Sequence, residues 1–217
     1  MKPTVVAIDG PAGAGKSTIA KALALALGIE YLDTGAMYRG VTFEVRRRGL
    51  DATDVDAVAR VAREIQFVQT RDSLEVNGID ATAAIRTPEV DAAVSHVAAN
   101  SAVRDEMRTR QRRWIAEHGG GVVEGRDIGS VVFPDATLKV YLMASPLVRA
   151  QRRVAQHGGN VDEIARAIAE RDERDSTRDD SPLRRMPDAV ILDTSERTVS
   201  EVVDEIAVLL RGRGSVQ

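Results

Sequence analysis

The chain has 217 residues, a length that favours one core domain carrying excursions. Its 43% hydrophobic and 29% charged residues describe a folded globular protein, and a net charge of −3 argues against a nucleic-acid partner, which usually calls for a strongly basic surface. The absence of cysteine excludes disulfides, thiolate catalysis and cysteine-ligated metal sites. The opening MKPTVVAIDG carries no charged segment followed by a long apolar one, and no run approaches the ~18 apolar residues of a membrane helix. The expectation is a cytoplasmic protein with no membrane contact.

In chain order, Thr4 to Ile8 is a short apolar run rich in β-branched residues, which reads as a buried strand ended by Asp9 and Gly10. From Lys16 to Leu27, the residues Ile19, Leu23 and Leu27 recur at helical spacing, and Gly28 stands where a C-terminal cap belongs. Further strand-like runs occur at Gly121 to Glu124, Thr137 to Met143 and Ala189 to Leu192, with helical stretches between several of them. This alternation predicts an α/β fold with a mostly parallel sheet.

Two stretches break the rhythm. Gln66 to Asp80 alternates partly and contains Asn77-Gly78, the signal of a tight hairpin turn, so it predicts a small antiparallel excursion. Gln156 to Asn160 is a polar, glycine-containing loop that permits a hinge, with Asn160 as the N-cap of a following helix and Glu163 three residues on. The last residues, RGRGSVQ, read as a frayed tail.

The chemistry begins at Gly10-Pro11-Ala12-Gly13-Ala14-Gly15-Lys16-Ser17, which satisfies G-x-x-x-x-G-K-[ST] between a strand and a helix. In such a P-loop, glycines let backbone N–H groups converge on phosphate oxygens, and the helix N-terminus adds positive potential. Lys16 then reaches the β and γ phosphates of a nucleoside triphosphate, and the Ser17 hydroxyl ligates Mg²⁺. Thr18 continues the motif into the helix.

A P-loop alone leaves a kinase, a GTP switch and an ATP motor open. None of the three asparagines, Asn77, Asn100 and Asn160, precedes a lysine, and D-x-x-G is missing, which weighs against a switch. A motor would end an apolar strand in Asp-Glu, whereas Val122-Val123-Glu124-Gly125-Arg126-Asp127 places an arginine at the strand mouth, where an anionic second substrate suits it. Asp33 or Thr34 is a candidate helix cap. Arg171, Asp175 and Arg178 fall at i, i+4 and i+7, so they share one face if the helix from Val161 continues that far, either as an exposed salt-bridge row or as a substrate-facing set. Arg174, or else Arg152 or Arg153, is a candidate for the transferring phosphoryl. His96, His118 and His157 are scattered, with no metal-ligand spacing.

The stretches IDGPAGAGKST (8–18), YLDTGAMYR (31–39), VVEGRDIGSVVFPDA (122–136), RDERDSTR (171–178) and ILDTS (191–195) together resemble the bacterial cytidylate kinases. The resemblance implies a single P-loop nucleoside monophosphate kinase domain over 1–217, with an inserted monophosphate-binding subdomain at about 62–95 and a lid at about 153–178. It implies an ATP-dependent, Mg²⁺-dependent monomer acting on CMP or dCMP. Arg39 and Arg126 match the arginines that hold the acceptor's α-phosphate; Thr34, Arg104, Asp127 and Arg178 match positions around cytosine; Ser95, Arg171 and Asp175 match positions near the ribose. Tyr38 lies in the same motif as Thr34 and Arg39 and is a further acceptor-side candidate. Thr34 departs from the serine common in relatives, keeping the hydroxyl and adding a methyl.

Overall fold

The computed structural model describes residues 3–213. The chain runs through β1 (Thr4–Asp9), α1 (Lys16–Leu27), β2 (Tyr31–Asp33), α2 (Thr34–Arg47) and α3 (Val55–Glu64). It continues with β3 (Phe67–Gln69), β4 (Leu74–Val76), β5 (Ile79–Asp80), α4 (Pro88–Ala99) and α5 (Ser101–His118). The remainder comprises β6 (Gly120–Gly125), β7 (Leu138–Met143), α6 (Pro146–His157), α7 (Val161–Thr177), β8 (Val190–Asp193) and α8 (Val199–Gly212). It divides into two compact units, one made of the chain up to Tyr31 and from His118 onward, the other of Leu32–Glu117.

The first unit is organised by a sheet of order β2-β6-β1-β7-β8. β1 is parallel to β6 from Thr4↔Gly120 to Asp9↔Gly125 and to β7 from Val6↔Leu138 to Asp9↔Tyr141. β8 extends the parallel run beside β7. The central strands β1 and β6 are buried almost throughout, which is why their sequences are continuous apolar runs without alternation. Against Val6, Ile8, Val122, Val140 and Leu142 pack Ile19 and Leu23 of α1 and Val202, Ile206 and Leu210 of α8. Each fully buried side chain of this size contributes ~1.5–3 kcal/mol through removal from water. Helix α8 starts at a reciprocal Thr198/Glu201 capping box and reaches Gly212. The frayed-tail reading of RGRGSVQ therefore begins too early: Arg211 and Gly212 continue a helix held by buried Leu210, and residues 214–217 lie outside the described residues.

In the second unit, α2 begins where the Asp33 carboxylate accepts the Ala36 N–H, so of the two candidates Asp33 is the cap. β3, β4 and β5 form the antiparallel excursion. Asn77 and Gly78 both adopt positive φ, 49° and 79°, and join Val76 to Ile79 as the tight turn requires. Gly40 of α2 lies so close to Phe67, Leu74 and Val76 that a methyl there would be 2.7 Å from the Phe67 ring, which sets the separation of helix and sheet.

Glycine is also required where β6 enters the central sheet. Gly119 and Gly120 both have positive φ, 73° and 136°, but a Cβ on Gly119 would meet nothing within 4 Å while one on Gly120 would lie 2.5 Å from the Thr4 carbonyl oxygen of β1. Gly119→Ala then costs only the left-handed backbone preference, ~1–2 kcal/mol. Gly120→Ala adds a backbone clash, and urea unfolding is expected to show it less stable than Gly119→Ala by at least ~1 kcal/mol. Equal stabilities would contradict the tight β1–β6 approach.

Candidate functional site

The P-loop follows directly from the end of β1. Gly10, at φ 151°, passes so near β7 that a Cβ would lie 2.2 Å from the Leu142 carbonyl oxygen. Gly15 is the N-cap of α1 in left-handed conformation, with no side chain capping the helix and no acidic residue in its first turn. An N-terminus without a side-chain cap presents backbone donors and a positive dipole end to an anion. Ser17, half-buried, and Thr18, exposed, belong to this first turn.

Lys16 is buried and its ammonium donates to the Pro11 carbonyl at 2.8 Å. Burial, with the nearby Arg126 charge adding to it, lowers its pKa to about 7, and Glu124 and Asp175 oppose the drop. The loop is braced from outside by three side chains. Thr194 donates to the Ala14 carbonyl at 3.2 Å, Asp172 accepts the Ala12 N–H at 3.0 Å, and Arg149 donates to the Ala12 carbonyl at 3.1 Å. Arg152 is engaged with the Thr194 hydroxyl and carbonyl, at 2.9 and 2.6 Å.

The segment after β6 carries the second group of charges. The Asp9 carboxylate accepts the consecutive N–H groups of Ile128 and Gly129, both at 2.8 Å, and so ties the root of the P-loop to the single π-helical turn Ile128–Val132 that follows Asp127. Burial raises the Asp9 pKa to about 6 against the pull of those two bonds. Glu124 accepts a buried hydrogen bond from the Tyr31 hydroxyl.

Arg126 donates from Nε to Asp175 at 2.9 Å, and Arg178 lies 3.7 Å from Asp175 and 3.9 Å from Asp127. Burial works against the charges of Arg126 and Asp175, but the pairing outweighs it: Arg126 stays above the usual arginine value and Asp175 below the usual carboxylate value. Arg126, Asp127, Asp175 and Arg178 thus form one linked set within the first unit, but Arg178 does not share the helix face of Arg171 and Asp175: α7 ends at Thr177 and Arg178 follows it in extended backbone. Arg171 is half-buried, and its charge is felt by Lys16 and Asp175. Arg174 is exposed and donates to the Glu170 carbonyl one turn back, and Arg153 meets His157.

In the second unit, Thr34, Tyr38 and Arg39 follow one another along the first turns of α2 and all are buried. Arg39 donates to the Ile85 carbonyl at 2.8 Å and pairs with Asp91 of α4. Arg104 of α5, almost fully buried, donates to the Ala98 carbonyl and places its guanidinium 5.5 Å from the centroid of the Tyr38 ring, a cation–π distance. Ser95 is half-buried on α4.

Sequence reading missed Asp9, Asp91, Arg149, Asp172 and Thr194, whose partners are distant in the chain. Only Asp9 carried a signal, as the acidic residue that ends an apolar strand just before the glycine loop. Among the described residues, no group of three or more histidine, aspartate or glutamate side chains could hold a metal, and no helix is long and apolar enough to cross a membrane.

Comparison with known proteins gives a consistent answer. The family model described as cytidylate kinase matches residues 6–211. The chain is 47% identical over 216 residues to a cytidylate kinase of Limosilactobacillus reuteri (strain DSM 20016), covering 95% of this chain and 94% of the relative. It is 48% identical over 221 residues to one of Mycobacterium avium (strain 104), covering 98% and 97%. Among solved structures, TT1252 from Thermus thermophilus matches with TM-score 0.52 at 18% identity, covering 97% of this chain and 98% of that one. A shikimate kinase from Acinetobacter baumannii in complex with shikimate matches with TM-score 0.50 at 17% identity, covering 97% and 93%. At these identities the structures share the fold of a P-loop kinase with this chain, while the family model and the close relatives carry the assignment: this chain belongs to the cytidylate kinase family.

Proposed function

We propose that this protein transfers the γ-phosphoryl of ATP to CMP or dCMP, giving ADP and CDP or dCDP by direct in-line transfer. The observation that carries the reading is a glycine-built helix N-terminus, with no side-chain cap, holding a buried lysine whose charge is in electrostatic contact with the arginine of a second, arginine-aspartate set. Gly10, Pro11, Ala12, Gly13, Ala14, Gly15, Lys16, Ser17 and Thr18 take the ATP phosphates. Arg39 and Arg126 take the acceptor's α-phosphate; Thr34, Tyr38, Arg104, Asp127 and Arg178 serve the base; Ser95, Arg171 and Asp175 serve the sugar. Arg174 is assigned to the transferring phosphoryl, with its exposure on α7 leaving its side chain free to reorient.

The acceptor phosphate is already ionised near pH 7, its second pKa being ~6, so the reaction needs positioning and charge stabilisation more than a base. Domain roles follow the same assignment: one domain overall, with the segment about 62–95 as the monophosphate-binding insert and about 153–178 as the lid, where Gly158 and Gly159 at φ 73° and 102° supply the hinge. We read it as a monomeric cytoplasmic enzyme with no nucleic-acid partner, a reading supported by the family likeness, the mild negative charge and a cysteine-free sequence.

The donor set suits Mg²⁺. The Ser17 hydroxyl at the P-loop supplies an oxygen ligand, the Glu124 carboxylate is felt by the adjacent Lys16, and Mg²⁺ takes few protein ligands beside phosphate oxygens and water. Held there by Ser17 together with the nucleotide, such a cation would supply charge neutralisation for the β and γ phosphates. An ADP-release assay over CMP, dCMP, UMP, AMP, GMP and shikimate tests the function, and turnover with shikimate but not CMP would overturn it.

Lys16→Ala is expected to fold normally and to lose most turnover. The unmodified protein should show a proton signature. With its pKa at about 7, Lys16 is largely neutral at pH ~8 in the free protein, and the triphosphate favours the charged form. ATP binding should therefore take up a proton at pH ~8, where the γ-phosphate is itself already ionised, as calorimetry in buffers of different ionisation enthalpy would read. Proton release at pH ~8 would contradict the lysine assignment.

Base choice offers the sharper test. Cytosine presents an N4 amino donor with acceptors at N3 and O2, which a carboxylate and arginine donors complement. Uracil reverses two of these, leaving buried polar groups unpaired at ~1–3 kcal/mol each. CMP is expected to be used at least ~10-fold better than UMP by kcat/KM, and Asp127→Asn should narrow that ratio mainly by harming CMP. Equal use of both acceptors by the unmodified protein, or an unchanged ratio in Asp127→Asn, would refute the role of Asp127.

A further inference from the structure

Ala12 of the P-loop has both its N–H and its carbonyl held by side chains from elsewhere in the fold. Its N–H is taken by Asp172 Oδ1 of α7 at 3.0 Å, and its carbonyl by Arg149 Nη1 of α6 at 3.1 Å. The same Arg149 Nη1 also donates to Asp172 Oδ2, closing a ring of three partners. Pro11, just before it, has no N–H to give, so Ala12 is the first donor of the loop after Gly10. The next residue, Gly13, lies flush against α6: a Cβ there would stand 3.0–3.2 Å from Arg149 Cβ, O and Cα. Both charged side chains are largely covered, at 11% and 19% exposure.

Charge decides what this arrangement can do. A lone carboxylate on the rim of a phosphate-binding loop would repel a triphosphate. Arg149 cancels that charge while leaving Asp172 able to accept the Ala12 N–H, so the rim is held by hydrogen bonds without a net negative field. The same helix also reaches the other charged set, because Asp175, three residues on, pairs with Arg126. Helix α7 is therefore attached to the P-loop through Asp172 and to the segment after β6 through Asp175, less than one helical turn apart.

We propose that Asp172, neutralised by Arg149, is a positioning residue that shapes the P-loop for the ATP phosphates from the helix that also carries Arg171 and Asp175. The proposal rests on the reading that this loop binds ATP. Asp172 touches neither nucleotide in this role; it acts through the Ala12 peptide. Its loss leaves the catalytic groups in place but lets the loop sample conformations that do not fit the phosphates, and apparent affinity falls with the fraction of fitting loops.

The test compares steady-state kinetics of the full-length protein with Asp172→Ala and Asp172→Asn, alongside thermal melting. Asp172→Ala should raise the KM for ATP about tenfold, with the KM for CMP at saturating ATP within about twofold and kcat within about threefold. Asp172→Asn keeps an acceptor for the Ala12 N–H and should recover the ATP KM to within about threefold of the unmodified protein. A purely structural role would lower the melting temperature and the amount of active protein without separating the two KM values. An unchanged ATP KM in Asp172→Ala, equal rises in both KM values, or an asparagine variant no better than alanine would each overturn the proposal. Lys16→Ala, assayed in parallel for ATP binding, separates the levels: retained ATP binding there overturns the P-loop reading and this proposal with it, whereas lost binding beside an unaltered Asp172→Ala overturns this proposal alone.

Discussion

Two cations buried near each other, Lys16 and Arg126, set the terms for the rest of the first unit. Both are desolvated, and the Arg126 charge raises the cost of charging Lys16. Arginine does not give up its proton in proteins, so lysine is the partner that yields, and its pKa falls to about 7. Asp175 and Glu124 limit the fall, and Asp175 is itself kept ionised by Arg126, Arg171 and Arg178. The site thus holds a stored electrostatic deficit that a polyanion is the natural group to relieve. That is a property of placement, since the same side chains on a solvated surface would titrate independently.

Backbone supplies the other half of the site, and here the demands are steric. The P-loop can leave β1 only because Gly10 tolerates contact with Leu142, and it enters α1 only through the left-handed Gly15. Asp9 then uses its two carboxylate oxygens on two consecutive N–H groups beyond Asp127. A carboxylate accepting two backbone donors would ordinarily have a low pKa, yet burial beside Asp127 carries it to about 6. The chain accepts that cost to fix the two loops against each other at their roots.

What could be read from sequence alone has a common character: it is local. Gly28 as a C-cap, Asn77-Gly78 as a turn and Asn160 as an N-cap each depend on backbone preferences within a few residues, and each is found as expected. The α/β class and the P-loop were legible for the same reason, being strand, turn and helix in immediate succession. The contacts that brace the site span long separations: 160 residues from Ala12 to Asp172, 93 from Tyr31 to Glu124 and 180 from Thr194 to Ala14. No periodicity or capping rule encodes such a pairing, and in a chain with 26 arginines and 33 acidic residues a given carboxylate has too many candidate partners for composition to choose. Family likeness proposed which residues face ligand, but it did not reveal what holds them.

The arginines assigned to the acceptor are each held by an internal carboxylate, which bears on how they would meet a phosphate. Arg126 is paired with Asp175 in the first unit, and Arg39 with Asp91 in the second, where it also donates to the Ile85 carbonyl. Each guanidinium has its charge and part of its donor set satisfied by an internal carboxylate, so neither is an unpaired buried cation of the kind that destabilises a fold. On the proposed reading, an incoming phosphate competes with or shares these partners instead of meeting bare charge. The net gain on binding is then the difference between two charge-assisted pairings, which is smaller than either alone. Arginine suits this exchange because its five donors can keep one carboxylate while engaging another anion, which a lysine ammonium, as a point charge, does less well.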